Sequence, residues 1–433
     1  GRVAVASFDT APDEVEWLAD HVVAAHDSGL VSAWSQVAVL TRGNQAIGAI
    51  YAALAERDVP VEIVGLGGLL QVPEVAEIVA TLTLVDDVGA NPEVVRLLSG
   101  PRWRIGPRDL AVLGDRAREL AHQSGPQPNR GSRLSIVTMA SGLDATAQLC
   151  LMDAVEDPGH APLSSQARVR LAEFAEELRR LRRHRDEPVL ELVHRVMDAS
   201  GLELELDSDT AWWAAGRSRQ LGQFTEAVAG YVDIDGDGEL SGLLAWLKAE
   251  MDSAEGLDQA VPSPADSVKL LTVHRAKGLE WDVVFLPGVC KDAFPSTRPP
   301  DNWVKNPAVL PSQLRGDRDW IPQLEHVTTK HIRDLYPAAL AEAQRQGEDR
   351  LAYVAITRAR RLVVASCHHW SPGRKSPSGP SPYFEVLHSV AELTGDVLQI
   401  IEPSPENPLT AEHALVWPLP VDEARLAGLQ EAA

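Results

Sequence analysis

Cysteine is scarce in this sequence. Only Cys150, Cys290 and Cys367 are present, far apart in a chain of 433 residues. No two of them have the CxxC spacing of a zinc ribbon or a redox pair, which excludes a disulfide framework and a cysteine-rich zinc site. We expect a reducing compartment, the cytoplasm, and we predict no metal site from spacing.

Long hydrophobic runs are also missing. The sequence has no run of about 18 apolar residues, and its first residues lack the basic and apolar regions of a signal peptide. We therefore expect neither a membrane partner nor secretion.

Positive charge is in short supply, with 40 Lys and Arg against 62 Asp and Glu and a net charge of −22. This balance excludes a protein that coats nucleic acid by bulk electrostatics, although it permits a local basic groove. Hydrophobic residues make up 45% of the chain, as in globular proteins with a substantial core. The missing initiator Met and the proline-spaced segment 401–420 indicate a part of a longer polypeptide.

Strand and helix patterns alternate over the first hundred residues. We predict strands at 3–8, 37–40 and 61–64, with helices at 12–26 and 46–57 between them. Such alternation predicts an α/β fold in which helices cover a parallel sheet.

The middle of the chain has a different secondary-structure pattern, since strand signals almost vanish between residues 106 and 265. A helix predicted at 166–185 has one apolar stripe and many arginines. The stripe consists of Leu171, Phe174, Leu178 and Leu181. After Ser267 the α/β pattern returns, with strands at 268–273, 282–287 and 362–366 and a helix at 341–360. The simplest interpretation is one α/β domain interrupted by a mainly helical insertion.

Polar side chains are dense in the segment TVHRAKGLE, residues 272–280, between two predicted buried strands. In open α/β sheets the carboxyl edge of the strands is where ligands bind. The segment offers a hydroxyl at Thr272, an imidazole at His274, and Gly278, whose missing Cβ lets an anion approach the backbone. The carboxylate of Glu280 can accept ribose hydroxyls.

Two further segments present arginines. Arg358 lies in AYVAITRAR (residues 352–360), between a helix and a strand, and Arg42 lies in LTRGNQ (residues 40–45), after a strand. A guanidinium matches phosphate oxygens in two-point contacts. We expect both arginines to lie at the same sheet edge as segment 272–280.

These segments resemble the C-terminal motor half of a superfamily-1A DNA helicase of the UvrD/Rep/PcrA type. VAVLTRGNQ resembles motif IV, LLTVHRAKGLEWDVVFLPGV resembles motif V, and EDRLAYVAITRAR resembles motif VI. The resemblance implies a RecA-like parallel-sheet domain 2A, residues 1–105 and 266–400, interrupted by a helical domain 2B, residues 106–265. Residues 401–433 would form a linker or tail.

The resemblance also implies roles for individual residues. Arg42 and Arg358 would contact the γ-phosphate of ATP, with Arg358 as the arginine finger. Glu280 would bind the ribose, and Gly278 would lie beside the phosphates. DNA contacts would fall to Thr272 and His274, which would hold phosphates of single-stranded DNA.

Other parts of the helicase pattern are missing from this sequence. It has no GxxxxGK[ST] P-loop and no Asp-Glu pair after an apolar strand to hold Mg²⁺. We therefore predict that ATP and Mg²⁺ are cofactors of an intact enzyme whose N-terminal lobe carries the P-loop, and that this chain alone does not hydrolyse ATP. Asp349 and Thr41 stand where relatives often have arginine and an aromatic residue.

GLGGLL and GPRWRIGPRDL resemble more closely the actinobacterial helicase-nucleases of the Adn type, which implies a possible second helicase-nuclease subunit as partner.

The main function hypothesis is an ATP-driven 3′ to 5′ translocase on single-stranded DNA in repair or recombination. The rival is a non-catalytic helicase-like module that binds DNA or protein. A basic helix at 168–185 could contact duplex DNA or could be a solvated face with Glu-Arg pairs.

Four weaker patterns have simpler interpretations. The acidic run 233–238 begins like a calcium loop, but position 12 is Leu244, so a turn between helices is favoured. Residues 65–68 lack a third glycine for a dinucleotide fingerprint and are interpreted as a turn. Trp212 and Trp213 could stack on bases, with packing favoured. The pair 368–369 has no acidic neighbour at ligand spacing and is expected to end a strand.

Overall fold

The computed structural model describes residues 1–124, 149–208, 212–235, 239–252, 262–297, 302–306, 309–394 and 396–410. The chain folds into two compact units. The first comprises Gly1–Gly68 and Met251–His413, and the second comprises Leu69–Glu250.

The first unit is built on a seven-stranded sheet in the order β3-β4-β2-β5-β6-β1-β7, in which every described pairing between named strands is parallel. The strands are β1 (Arg2–Thr10), β2 (Val37–Thr41), β3 (Val61–Ile63), β4 (Val268–Thr272), β5 (Trp281–Leu286), β6 (Ala359–Trp370) and β7 (Val397–Gln399). The six predicted strands are confirmed. The three-residue β7 has too short an apolar run to stand out in the sequence.

Helices connect these strands and cover the sheet. They are α1 (Ala11–Asp27), α2 (Ile47–Ala55), α3 (Leu66–Leu69), α13 (Tyr336–Thr357) and α14 (Pro382–Thr394). Helix α1 begins where the Thr10 hydroxyl accepts a hydrogen bond from the Asp13 amide, a standard N-cap. Strands β2 and β4 are buried along their whole length, as expected for a parallel sheet covered on both faces.

The second unit has only helices among its described regular elements. They are α4 (Pro73–Asp86), α5 (Asn91–Ser99), α6 (Pro107–Ser124), α7 (Leu151–Glu156), α8 (Ser165–Arg182), α9 (Val189–Ser200), α10 (Leu202–Ser208), α11 (Trp212–Asp235) and α12 (Leu240–Asp252). The predicted apolar stripe of α8 is buried at all four positions. The α/β fold with a helical insertion is therefore confirmed, while the exact domain boundaries stay predictions.

Local signals fix the helix ends in this second unit. The Ser164 hydroxyl accepts from the Ala167 amide at the start of α8. Helix α9 ends at Gly201, whose φ of 71° is the left-handed conformation typical of a helix C-terminus.

Among the described residues, no helix combines the length and the apolar character needed to cross a bilayer.

Candidate functional site

Strands β2 and β4 bring the motif IV and motif V segments together at the carboxyl edge of the sheet. Thr41 lies opposite Thr272 in the β2–β4 register, and the Val273 amide donates a 2.9 Å hydrogen bond to the Thr41 carbonyl. Thr272 is buried, whereas His274 is half-buried. The two predicted DNA contacts therefore follow directly from the end of β4.

The segment between β4 and β5 crosses the sheet from one edge to the other. Because both strands are parallel to β2, the end of β4 and the start of β5 lie at opposite edges. The segment advances in turns, in which the Ala276 amide donates to the Thr272 carbonyl and the Leu279 amide to the Ala276 carbonyl. Gly278 has a φ of +87° and is exposed, a conformation that favours glycine.

Arg275 packs against Gly65 at the end of β3. A Cβ added at Gly65 would lie 2.4 Å from Arg275 Nε, and Gly65 has a φ of +103°. The Gly68 amide donates to the Gly65 carbonyl. Residues 66–68 lie in helix α3, so the interpretation of residues 65–68 as a turn is wrong except for the bend at Gly65 itself. The missing side chain of Gly65 makes room for Arg275 of motif V.

Arg358 reaches the motif V segment from the end of α13. Its Nη1 donates to the Leu279 carbonyl at 2.8 Å, and its Nε donates to the Val354 carbonyl at 3.0 Å. The Trp281 amide donates to the Arg358 carbonyl, and Trp281 lies opposite Ala359 at the start of β5 and β6. Arg358 therefore lies at the amino edge of the sheet, against the residue that follows Gly278.

Glu280 occupies the same edge and is paired with an arginine that the sequence did not indicate. Arg360 Nη2 donates to Glu280 Oε1 at 2.7 Å. This hydrogen bond, together with the charges of Arg360 and Arg358, lowers the pKa of Glu280. Glu280 directly precedes Trp281, whose amide donates to the Arg358 carbonyl, so Glu280 and Arg358 lie at the same place on this edge. Arg358, Glu280 and Gly278, three of the predicted ATP contacts, therefore belong to one cluster, which we call the amino-edge cluster.

Arg42 is not part of this cluster. It forms an ion pair with Glu348 of α13, in which Arg42 Nε lies 2.9 Å from Glu348 Oε2. The Glu348 side chain is 3% exposed and also accepts from the Ser296 amide and Gln344 Nε2. Glu348 lies ten residues before Arg358 on one helix, about 15 Å along its axis at 1.5 Å per residue.

The prediction that all these residues meet at one sheet edge is therefore wrong. Arg42 and His274 follow the carboxyl ends of β2 and β4, and Thr272 is the last residue of β4, whereas Arg358 and Glu280 precede the amino ends of β6 and β5. A residue between a helix and the next parallel strand lies at the amino edge, because the helix has already returned the chain across the sheet.

Most arginines of helix α8 make contacts inside the second unit. Arg182 Nη1 donates to the Leu84 and Val85 carbonyls, and Arg168 donates to the Gly159 and Ala161 carbonyls. Further contacts join Arg170 to the Arg104 carbonyl, Arg179 to Glu176, and Arg185 to Asp86. These bonds favour a structural use of the helix, with Arg180 and Arg183 left as exposed positions on it.

Two other predicted features fall on parts that the structure does not describe. The side chains of Trp212 and Trp213 lie outside the described residues, as do residues 236–238 and the side chains of 233–235. The backbone of residues 233–235 belongs to helix α11, so the predicted turn does not begin at 233. The interpretation of His368 as a strand end without an acidic neighbour is wrong in its second half. His368 lies within β6, and its Nδ1 is 2.5 Å from Glu14 Oε2.

Comparison with known proteins identifies the family of this chain. The family model for the UvrD-like helicase C-terminal domain matches residues 1–123 and 160–369. ATP-dependent DNA helicase UvrD1 of Mycobacterium tuberculosis is 27% identical over 369 residues, 83% of this chain and 39% of that protein. ATP-dependent DNA helicase PcrA of Bacillus subtilis is 22% identical over 385 residues, 88% of this chain and 42% of that protein.

DNA helicase II of Escherichia coli is 24% identical over 285 residues, 66% of this chain and 35% of that protein. The chain thus spans about two fifths of the length of the relatives it matches. The family match covers both parts of the sheet unit and most of the helical insertion. This chain therefore belongs to the UvrD-like helicase C-terminal domain family.

Proposed function

We propose that this chain is the C-terminal motor part of an ATP-dependent DNA helicase that moves 3′ to 5′ on single-stranded DNA, in DNA repair or recombination. The observation that carries the proposal is the amino-edge cluster, in which Arg358 is bonded to the Leu279 carbonyl beside Gly278 and Glu280. A guanidinium, a bare backbone and a carboxylate at one edge have the chemistry of a nucleotide site.

In this proposal the amino-edge cluster faces ATP. Arg358 stabilises charge on the γ-phosphate, Gly278 lets the phosphates approach the backbone, and Glu280 accepts the ribose hydroxyls. Glu280 is ionised at neutral pH, since its pKa is lowered by Arg360, which suits an acceptor of hydrogen bonds from hydroxyl groups. When nucleotide binds, Glu280 must give up its hydrogen bond from Arg360 to accept hydrogen bonds from the ribose.

DNA is proposed at the opposite edge, where Thr272 at the end of β4 and His274 just after it hold phosphates of the single strand. The resemblance assigns Arg42 to the γ-phosphate as well. Its ion pair with Glu348 holds Arg42 at this carboxyl edge, so we propose that it fixes α13 there and takes no part in phosphoryl transfer.

A P-loop and a Mg²⁺ ligand must come from outside these 433 residues, because the sequence contains no GxxxxGK[ST]. We therefore propose that a separate N-terminal lobe completes the ATP site and that the isolated chain does not hydrolyse ATP. Mg²⁺ bound by that lobe would neutralise charge on the phosphates. A two-subunit helicase-nuclease of the Adn type is the proposed wider assembly, with single-stranded and duplex DNA as substrates and the cytoplasm as location.

The rival function is a helicase-like module without catalysis. The amino-edge cluster separates the two, because a module that only binds DNA has no chemical need for an arginine held beside a glycine and a carboxylate.

The experiment compares the isolated chain with the full gene product that contains it. We expect DNA-stimulated ATP hydrolysis from the full product alone, and unwinding of duplexes with a 3′ tail but not of those with a 5′ tail. ATP hydrolysis by the isolated chain would contradict the missing-lobe proposal, and a full product without any hydrolysis would favour the rival module.

A further inference from the structure

Three side chains of metal-ligand type converge at the carboxyl edge of the sheet, and none of them was assigned a role above. Glu14 of α1, Cys290 after β5 and His368 of β6 each offer one ligand atom, and these atoms all lie within 4.8 Å of one another. Glu14 and Cys290 are 2% and 1% exposed. The residues come from parts of the chain 276 and 78 positions apart, so only the fold brings them together.

The distances within the cluster suit a tetrahedral zinc ion. Bond lengths of about 2.3 Å to sulfur and 2.0 Å to nitrogen give a sulfur-to-nitrogen separation of about 3.5 Å. Cys290 Sγ and His368 Nδ1 are 3.6 Å apart. Glu14 Oε2 is closer to Nδ1, at 2.5 Å, so the carboxylate must withdraw by about 0.8 Å to admit an ion with bonds of that length.

The other polar atoms of the three residues are already held by neighbours. Glu14 Oε1 accepts from the Gly288 amide at 2.8 Å and from the Ser366 hydroxyl at 2.5 Å. His368 Nε2 lies 2.9 Å from Ser371 Oγ. Partners of this kind orient metal ligands in proteins and leave the opposite atoms directed at the ion.

We propose that Glu14, Cys290 and His368 bind one Zn²⁺ ion, with water in the fourth position. The His368 side chain is 15% exposed, so the cluster lies close to the protein surface. On binding, the zinc–sulfur bond replaces the S–H bond of Cys290, and that proton is released to solvent together with any proton on His368 Nδ1. The ion joins α1 to the segments that follow β5 and β6, and its role is structural.

The test measures zinc in the purified chain after loading with ZnCl₂ and dialysis. We expect about one equivalent per chain, as for a single protein site, with loss in Cys290→Ala and His368→Ala. Matched controls are available, because Cys367 and His369 flank His368 in β6 and do not belong to the cluster. Cys367→Ala and His369→Ala are expected to keep the ion.

Two measurements on the unaltered chain keep the test decisive if a variant fails to fold. Co²⁺ in place of Zn²⁺ should give a thiolate charge-transfer band in the near ultraviolet, and zinc at about 100 times its Kd should raise Tm by roughly 5–10 °C over the EDTA-treated chain. No bound zinc with no cobalt–thiolate band would overturn the proposal, as would equal zinc content in the four variants.

Discussion

Replacing Arg358 by alanine in the full enzyme tests the proposed ATP site most directly. The change removes a guanidinium that is half-buried at the amino edge and donates to the Leu279 and Val354 carbonyls. If Arg358 also stabilises the γ-phosphate in the transition state, kcat should fall on the order of 10³–10⁵-fold.

The structural cost of the substitution is smaller than the expected catalytic cost. The guanidinium makes a third hydrogen bond, from Nη2 to the Thr357 hydroxyl, and three bonds at about 0.5–1.5 kcal/mol each put the loss of folding free energy at roughly 1.5–4.5 kcal/mol. A fall of 10³–10⁵ in kcat corresponds to about 4–7 kcal/mol of activation free energy. The two effects can therefore be separated by measuring urea denaturation and ATP hydrolysis on the same protein.

The assay is steady-state, DNA-stimulated ATP hydrolysis with a matched control, Arg361→Ala. Arg361 is the third residue of β6, is exposed, and donates to the Leu30 carbonyl, so its loss should change kcat by less than about tenfold. Arg358→Lys keeps the charge without the two-point geometry and should recover little activity. A kcat of Arg358→Ala within tenfold of the unaltered enzyme, or equal losses in both alanine variants, would refute the assignment.

Arg42→Ala should destabilise the fold by about 3–5 kcal/mol in urea denaturation, because it leaves the buried Glu348 carboxylate without its cation; a kcat loss like that of an arginine finger would instead place Arg42 on the phosphate. Burial opposes ionisation of Glu62, but hydrogen bonds from Lys269 and a serine lower its pKa below 4.5, so stability should be lost as pH falls through that lowered pKa. Glu62→Gln should remove this acid-dependent loss, and an unchanged acid limb of the stability curve would contradict the reasoning. Gly65→Ala should lower Tm, since the left-handed backbone and the guanidinium 2.4 Å from the added Cβ both resist it; an unchanged Tm would contradict that packing.

Local patterns in the sequence were sufficient for the strands and for the motif residues. The apolar runs that became β2 and β4 are buried throughout, and a buried run between turn signals needs no knowledge of its partners. The helical stripe of α8 was equally local. The order of strands in the sheet is not local, because it depends on which runs pair across hundreds of residues.

The wrong prediction that Arg42 and Arg358 share one sheet edge shows that local patterns do not place residues within the sheet. Arg358 was expected beside Arg42, yet an arginine at the end of a helix lies where the next parallel strand begins. The ion partners were missed for a related reason. Glu348 is 306 residues from Arg42, and Glu14 is 354 residues from His368, so no spacing rule could pair them.

Helix α13 is fastened at two points, by Glu348 to Arg42 and by Arg358 to the Leu279 carbonyl. An α-helix resists stretching along its axis because its hydrogen bonds run in that direction. Any axial slide that loosens one fastening must therefore disturb the other. We therefore expect a displacement at one edge of the sheet to be transmitted to the other edge through the backbone of α13.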